Sequence, residues 1–340
     1  MTQKRKRDSL TVSSWSSSVD SSKKRAKHSS TTTTSTSPST REIDTSKPTA
    51  VFQPIGPRTH TLSVALPGSI IANAKSHDQK TFLCGTIARA LAVFCVDEQS
   101  YTGLSNPSHF LAHVLSYLET PPYLRKALFP MHANLRTAGT LPSLDLPSHV
   151  RGSEWCRYRE GVVVAATGPG NDVVEVDIGL PERRVIKGVK IPANARVTGT
   201  RTAIAVSPTT PREQDGYYWG YSVRQCSSLS AVLTESPFDG GYDVSFGTSE
   251  RGRALSEVLS TSRPPRYRHL LLVFGGVGGL ETAAANDAEL ADRGITGRNV
   301  SDLFDHWVNL VPGQGSRTIR TEEAVWLGLM GLRGVVLENE

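Results

Sequence analysis

Apolar positions in this chain change period several times, and each change predicts an element. Residues 61–66 (Thr-Leu-Ser-Val-Ala-Leu) alternate as a half-buried strand does, then stop at Pro67-Gly68. From Ser76 the period lengthens. Phe82, Leu83, Ile87, Ala90, Leu91 and Phe94 recur every three to four residues, which predicts a helix running to Cys95. Leu111, Val114, Leu115 and Leu118 predict a second helix over residues 108–118, ended by Pro121-Pro122. Residues 130–150, with prolines at 130, 142 and 147, read as a connecting loop. Short strands follow at 161–165, 173–178, 184–191 and 195–198, separated by the turn sequences Gly168-Pro169-Gly170-Asn171 and Gly179-Leu180-Pro181. Further on, 220–224, 243–247 and 269–274 predict strands, with an apolar turn or short helix at 229–233.

Continuously apolar strands alternating with helices imply an α/β fold with a parallel sheet covered on both faces. Short strands without helices between them imply an inserted β unit, for which a small OB-like barrel is the natural expectation. Such a barrel presents a shallow polar face suited to single-stranded nucleic acid; a purely structural insertion is the competing reading. The resulting division is 56–150 and 217–340 for the α/β part and 151–216 for the insertion, with order beginning near Thr59.

Composition narrows the class. A chain of 340 residues exceeds one ordinary core. Its longest apolar stretches, such as 270–274, fall far short of the roughly 20 residues that span a bilayer. The opening Met-Thr-Gln-Lys-Arg-Lys-Arg leads into serines rather than an apolar core, so neither a secretory signal nor membrane association is expected, and the chain is expected inside the cell. The net charge of +6 resides in residues 1–28, where eight Lys/Arg face only Asp8 and Asp20; the remainder is balanced. Residues 1–55, rich in Ser and Thr and without apolar periodicity, are expected to form a disordered arm. Its basic clusters at 4–7 and 23–27 have the spacing read by a nuclear import receptor, which implies a nuclear or nucleolar address; loose affinity of a solvated tail for RNA is the plainer alternative. Cys84, Cys95, Cys156 and Cys226 form no Cys-x-x-Cys pair, so no metal site is expected, and free thiols are.

Ligands of open parallel sheets collect at the carboxyl ends of strands, where backbone groups and helix N-termini are free. Three segments stand there: Thr248-Ser249-Glu250-Arg251-Gly252, Gly275-Gly276-Val277-Gly278-Gly279-Leu280-Glu281, and the run after residues 307–311 from Pro312 to Ala324. The second invites a nucleotide reading but has Glu281 where a dinucleotide fingerprint needs Gly or Ala, and no Gly-Lys-Ser/Thr is near. In the third, Gly313 and Gly315 permit a tight loop, Ser316, Thr318 and Thr321 offer hydroxyls, and Arg317 and Arg320 bring two cations to a helix starting near Thr321. The bland reading is that these arginines merely pair with Glu322 and Glu323.

Taken together, Gly247-Thr248-Ser249-Glu250-Arg251-Gly252, Leu272-Val273-Phe274-Gly275-Gly276 and the stretch from Val311 to Ala324 resemble the SPOUT class of RNA methyltransferases. More narrowly they resemble its eukaryotic and archaeal branch, whose human member is also called centromere-associated. Leu66-Pro67-Gly68-Ser69, Ser76-His77-Asp78-Gln79-Lys80-Thr81 and Phe129-Pro130-Met131-His132 extend the resemblance across residues 60–337. It implies a parallel α/β domain with a C-terminal trefoil knot, an OB-like insertion and a homodimer. It also implies S-adenosyl-L-methionine bent in the knot, touched by Thr248, Ser249 and Glu250, by Gly275 and Gly276, and by Leu310, Val311, Pro312, Gly313, Gln314, Gly315, Ser316, Thr318 and Ile319. Residues 201–216 and 288–299 depart from the family pattern and are expected to be surface loops.

The resemblance points to uridine in ribosomal RNA as the target. Uridine N3 must lose a proton to become a nucleophile. Arg317 and Arg320 are therefore expected to hold a phosphate or base oxygen, with Glu250 or Glu322 accepting the proton or orienting Arg251. The competing expectation is a nuclear RNA-binding or kinetochore-associated scaffold that keeps the fold without turnover.

Overall fold

The computed structural model describes residues 52–102, 106–167, 170, 172–261 and 266–340. The expected N-terminal arm, with both basic clusters, lies outside the described residues as far as residue 51. The chain begins with β1 (Thr61–Pro67) and β2 (Glu98–Thr102), continues through β3 (Tyr158–Thr167), β4 (Val173–Asp177), β5 (Arg184–Lys187), β6 (Arg196–Thr200) and β7 (Ala205–Val206), and returns with β8 (Ser222–Cys226), β9 (Val244–Ala254), β10 (His269–Val273) and β11 (His306–Asn309). Strands outside the 158–206 interval form one sheet in the order β11-β9-β10-β1-β2-β8, with every pairing parallel. Those inside it form a separate antiparallel sheet in the order β5-β4-β3-β6-β7.

The apolar run of β10 is buried at all five positions because the parallel sheet is covered on both sides. Leu270 and Leu272 point into one core with Leu62, Val64 and Leu66 of β1; Leu271 and Val273 point into the other with Ala65. The helices are α1 (His77–Val93), α2 (Asn106–Glu119), α3 (Pro122–Leu128), α4 (Thr210–Asp215), α5 (Leu229–Thr234), α6 (Leu255–Thr261), α7 (Gly279–Ala285), α8 (Ala288–Asp292), α9 (Thr321–Gly331) and α10 (Arg333–Asn339). A capping box starts α1: Ser76 Oγ accepts from the Gln79 N–H at 3.1 Å, and Gln79 Oε1 accepts from the Ser76 N–H at 3.2 Å. Its buried stripe is Leu83, Cys84, Ile87, Ala88 and Leu91, whereas Phe82, expected in that stripe, is 68% exposed. Pro121-Pro122 ends α2 as expected and also starts α3, with Pro122 at a position where the missing N–H costs nothing. No helix among the described residues is long and apolar enough to cross a membrane.

Several elements depart from the sequence expectations. β2 has no apolar alternation because it buries Glu98 and Gln99; Glu98 is held by Arg224 Nε at 2.7 Å and by the Tyr242 hydroxyl. The segments 201–216 and 288–299, expected to be surface loops, contain α4 and α8, the latter capped by Asp287 Oδ1 accepting from the Leu290 N–H. Order also starts before Thr59: both Arg58 amino groups donate to Asp97, at 2.7 and 2.8 Å, and Gly56 lies so close to Gly216 that a side chain at Gly216 would strike it.

One ion cluster ties the two sheets together. Arg196 of β6 binds Glu119 at the end of α2 through two bonds, at 2.6 and 3.0 Å, and Glu160 of β3 through Nε at 2.7 Å. Thr198 Oγ1 and the Trp219 indole N–H donate to the remaining oxygen of Glu160. Both carboxylates are buried, so their dehydration is offset only while the guanidinium stays in place. Replacing Arg196 by Ala is expected to lower stability by about 3–5 kcal/mol in urea unfolding. The same region makes stability pH-dependent. Burial holds His149 down to about 4, and burial with the nearby Arg58 does the same to His60. Both imidazoles take up protons far more readily once unfolded, so stability is fully present above about pH 6.5 and falls as pH drops toward 4. Each site contributes about 1.4 kcal/mol per pH unit in that window. Urea midpoints at pH 7 and pH 5 should differ accordingly, and less in a His149→Gln variant.

Candidate active site at the strand ends

β9 departs from regular pairing at its far end. Residues 244–247 pair with β10, and Phe246 and Gly247 face His306 and Trp307 of β11. The ladder to β11 resumes only where Arg253 and Ala254 face Val308 and Asn309. Residues 248–252, expected as a loop beyond the strand, are instead an extended excursion within it. Gly252 closes the base of this excursion: a Cβ there would lie 2.4 Å from the Val308 carbonyl carbon.

The second segment turns on its glycines. Gly279 has φ +71° and donates its N–H to the Gly276 carbonyl at 3.0 Å. A Cβ on Gly275 would sit 2.8 Å from the Gly279 backbone, so the chain can reverse this tightly only without one. In the third segment, Leu310 packs against the core and Ile319 is half-buried, while Pro312, Gly313, Gly315, Ser316, Arg317 and Thr318 are exposed. Val311 donates its N–H to Asn309 Oδ1 at 3.0 Å, and Gln314 Nε2 donates to the Ser316 carbonyl at 3.0 Å.

Side chains join the three segments pairwise. Thr248 Oγ1 donates to the Val273 carbonyl at 3.0 Å, and Ser249 Oγ to Glu281 Oε1 at 3.3 Å, linking the first to the second. Asn309 Nδ2 donates to the Glu250 carbonyl at 2.9 Å, linking the first to the third. Thr321 Oγ1 donates to the Gly275 carbonyl at 3.0 Å, linking the third to the second. The residues expected to hold S-adenosylmethionine thus lie on three segments that the fold brings together. Gly313, at φ +72°, and Gly315 have nothing within 4 Å of where a Cβ would be. Exposed peptide groups beside open space suit a ligand held mainly by backbone.

The charged residues are arranged differently from expectation. Arg251 lies 3.5 Å from Glu281, not against Glu250 or Glu322. Glu281, seen in the sequence only as the residue that spoils a nucleotide fingerprint, is the missed member of this cluster; its place in the first turn of α7 was the available signal. Arg320 donates its backbone N–H to Glu323 Oε2 at 3.0 Å, which caps α9, but its guanidinium is 77% exposed and 4.0 Å from Glu322. Arg317 is exposed and, among the described residues, forms no ion pair. The helix start therefore needs Glu323 and leaves both guanidinium groups available. Glu250 is exposed and the Glu322 side chain largely covered.

A cavity of about 990 Å³ lies elsewhere, lined by Thr61, Ser222 and His269 at the first residues of β1, β8 and β10 and by Glu119, Glu160 and Arg196. It sits at the amino ends of the strands, between the sheets, away from the three joined segments.

A parallel sheet with side chains joining its strand-end segments, carrying an antiparallel insertion, places the protein in the open α/β class. Comparison with known families goes further: the model of the family described as "Putative RNA methyltransferase" matches residues 61–332, and the chain belongs to that family. It is 44% identical over 311 residues to the human 28S rRNA (uridine-N(3))-methyltransferase, covering 81% of this chain and 78% of that protein. To the Drosophila melanogaster protein of the same name it is 41% identical, covering 82% of this chain and 62% of that one. An uncharacterised protein of Halobacterium salinarum is 32% identical over 78% of this chain and 96% of its own length. This chain is an RNA methyltransferase by family.

Two glycines in the site should respond oppositely to the same change. Gly252→Ala forces β9 away from β11 and is expected to cost about 1–3 kcal/mol in urea unfolding, as overpacking does. Gly315→Ala meets open space and should stay within about 0.5 kcal/mol of wild type.

Proposed function

We propose that this chain methylates N3 of a uridine in large-subunit ribosomal RNA, with S-adenosylmethionine as methyl donor. The observation that carries the reading is the joining of the three strand-end segments through Thr248, Asn309 and Thr321, in a chain whose relatives are named for that reaction. Bound there, the donor supplies an electrophilic methyl group on a sulfonium. The residues holding it are Thr248, Ser249 and Glu250, Gly275 and Gly276, and residues 310–316 with Thr318 and Ile319. Positioning is the main task, because the uracil nitrogen must approach in line with the bond to be broken. Arg317 and Arg320, exposed on the loop between β11 and α9, hold a phosphate or base oxygen and favour the uracil anion. Glu250 or Glu322 accepts the N3 proton. Arg251 is oriented by Glu281.

Several further assignments rest on the same reading. β11 lies at the sheet edge beside β9, yet α9, entered directly from its loop, begins against the end of β10; this return across β9 supports a C-terminal trefoil knot. The register shift that bends β3 at the centre of the antiparallel sheet supports an OB-like RNA-binding unit over residues 151–216, between α/β parts at 56–150 and 217–340. A homodimer is supported by Phe82 and Val93 on α1 and Leu327 and Met330 on α9, all exposed on two helices joined by the Trp326 indole donating to the Thr86 carbonyl. Nuclear address through an import receptor rests on the basic clusters of the arm.

Transfer of label from radioactive S-adenosylmethionine to a 28S rRNA fragment tests the function, with the modified position read by mass spectrometry. Wild type should yield 3-methyluridine. Arg317→Ala and Arg320→Ala should each reduce the rate by on the order of 10²-fold while calorimetric affinity for the cofactor stays within about twofold. Full methylation by both variants would remove the arginines from the mechanism. A protein that bound cofactor yet labelled no RNA would be the scaffold instead.

A further inference from the structure

Three histidines outside the strand-end site gather at one corner of the molecule. His109 and His113 lie one turn apart on α2, so they share a face of the helix, and His132 comes from the loop after α3. One nitrogen from each ring lies within 4.8 Å of the other two. Ring centroids are 4.8 Å apart for His113 and His132, 5.6 Å for His109 and His113, and 6.0 Å for His109 and His132.

The corner is braced rather than loosely assembled. Phe129 stacks on His113 at 5.8 Å and is itself met edge-on by Tyr117. The short turn carrying His132 is pinned from α1, where His77 Nε2 donates to the Ala133 carbonyl at 2.9 Å and Nδ1 meets the Thr137 hydroxyl at 2.9 Å. Asn134 adds a contact to each side: its side-chain amide lies 3.4 Å from His113 Nδ1, and its backbone N–H donates to His132 Nδ1 at 3.1 Å. The charged neighbours that act on His113 are His132 and His109 themselves. Ring contacts and hydrogen bonds hold the three imidazoles together.

We propose that His109, His113 and His132 form a binding site for a divalent transition-metal ion, Zn²⁺ foremost, with the fourth position open to solvent. Neutral imidazole is the preferred nitrogen donor for such ions, and a His-x-x-x-His pair on one helix completed by a third His from elsewhere supplies three corners of a tetrahedron. Zinc–nitrogen bonds of about 2.0–2.1 Å require the ligand atoms to close to about 3.3 Å, an adjustment within reach of side-chain rotation at three partly or fully exposed rings. Ligation through either nitrogen of neutral His132 replaces its bond from the Asn134 N–H: Nδ1 would turn its lone pair to the metal, and Nε2 can ligate only in the tautomer whose Nδ1 carries the proton and no longer accepts. None of the four cysteines belongs to this group, which among the described residues consists of the three histidines.

The test titrates the chelator-stripped full chain with Co²⁺ and Zn²⁺. One equivalent of Co²⁺ should bind with visible ligand-field bands and no near-ultraviolet thiolate charge-transfer band, and Zn²⁺ should displace it. The His109→Ala/His132→Ala double variant, both sites being exposed, should fold with wild-type circular dichroism and lose at least tenfold in affinity, whereas Cys156→Ser should bind as wild type does. Absence of binding, a thiolate band, or undiminished affinity in the double variant would overturn the site. The ligand-field and thiolate bands of the unaltered chain decide the matter even if the double variant fails to fold. Metal binding is read without methyl transfer, so its failure leaves the proposed function untouched.

Discussion

Carbonyl groups beyond the last ladder bond of a parallel sheet need donors, and in this protein the donors come from neighbouring loops. The Val273, Gly275 and Glu250 oxygens accept from Thr248, Thr321 and Asn309 respectively. Each bond is modest, of order 1 kcal/mol, but each joins a different pair of segments. Their combined effect is to fix three otherwise independent turns in one arrangement. Glycines make the arrangement sterically possible at Gly252 and Gly275, where backbone meets backbone. A site built this way is specified more by chain path than by side-chain identity.

Much of this was legible in the sequence, for physical reasons that also explain the gaps. β1, α1 and β10 announce themselves because burial on one or both faces dictates their apolar period. β2 was missed because the residues it buries are polar: Glu98 survives there through Arg224 and Tyr242, partners more than a hundred residues away. Phe82 fits the period of α1 and is nonetheless exposed, since periodicity reports hydrophobicity and not what covers it. At the site, the three segments and their glycines were readable from their place after strands. The pairing of Arg251 with Glu281 was not, because nothing local links residues thirty positions apart on different elements. The excursion at 248–252 was likewise invisible, since a strand leaves its ladder only with respect to a partner.

The Arg196 guanidinium is the charged centre of the coupling between the insertion and the α/β layer, which the Tyr123 hydroxyl reinforces by donating to the Glu160 carbonyl at 3.1 Å. Arg196 engages Glu119 from the helical layer and Glu160 from the antiparallel sheet, while Trp219 and Thr198 complete the coordination of Glu160. Two dehydrated carboxylates on either side of one cation tolerate little relative displacement. The clamp fixes the antiparallel sheet to α2, whose last residue is Glu119 and whose first half carries His109 and His113.

β1, near the start of the described residues, is paired on one side with β10, so that Thr61 lies opposite His269. During synthesis that edge emerges some two hundred residues before the strand that covers it. Until then β1 offers the nascent polypeptide an apolar, unpaired border, the kind of surface that invites association with other chains. Completion of the central sheet is therefore a late event with a high contact order, and folding is expected to be slow and to depend on protection in the interval.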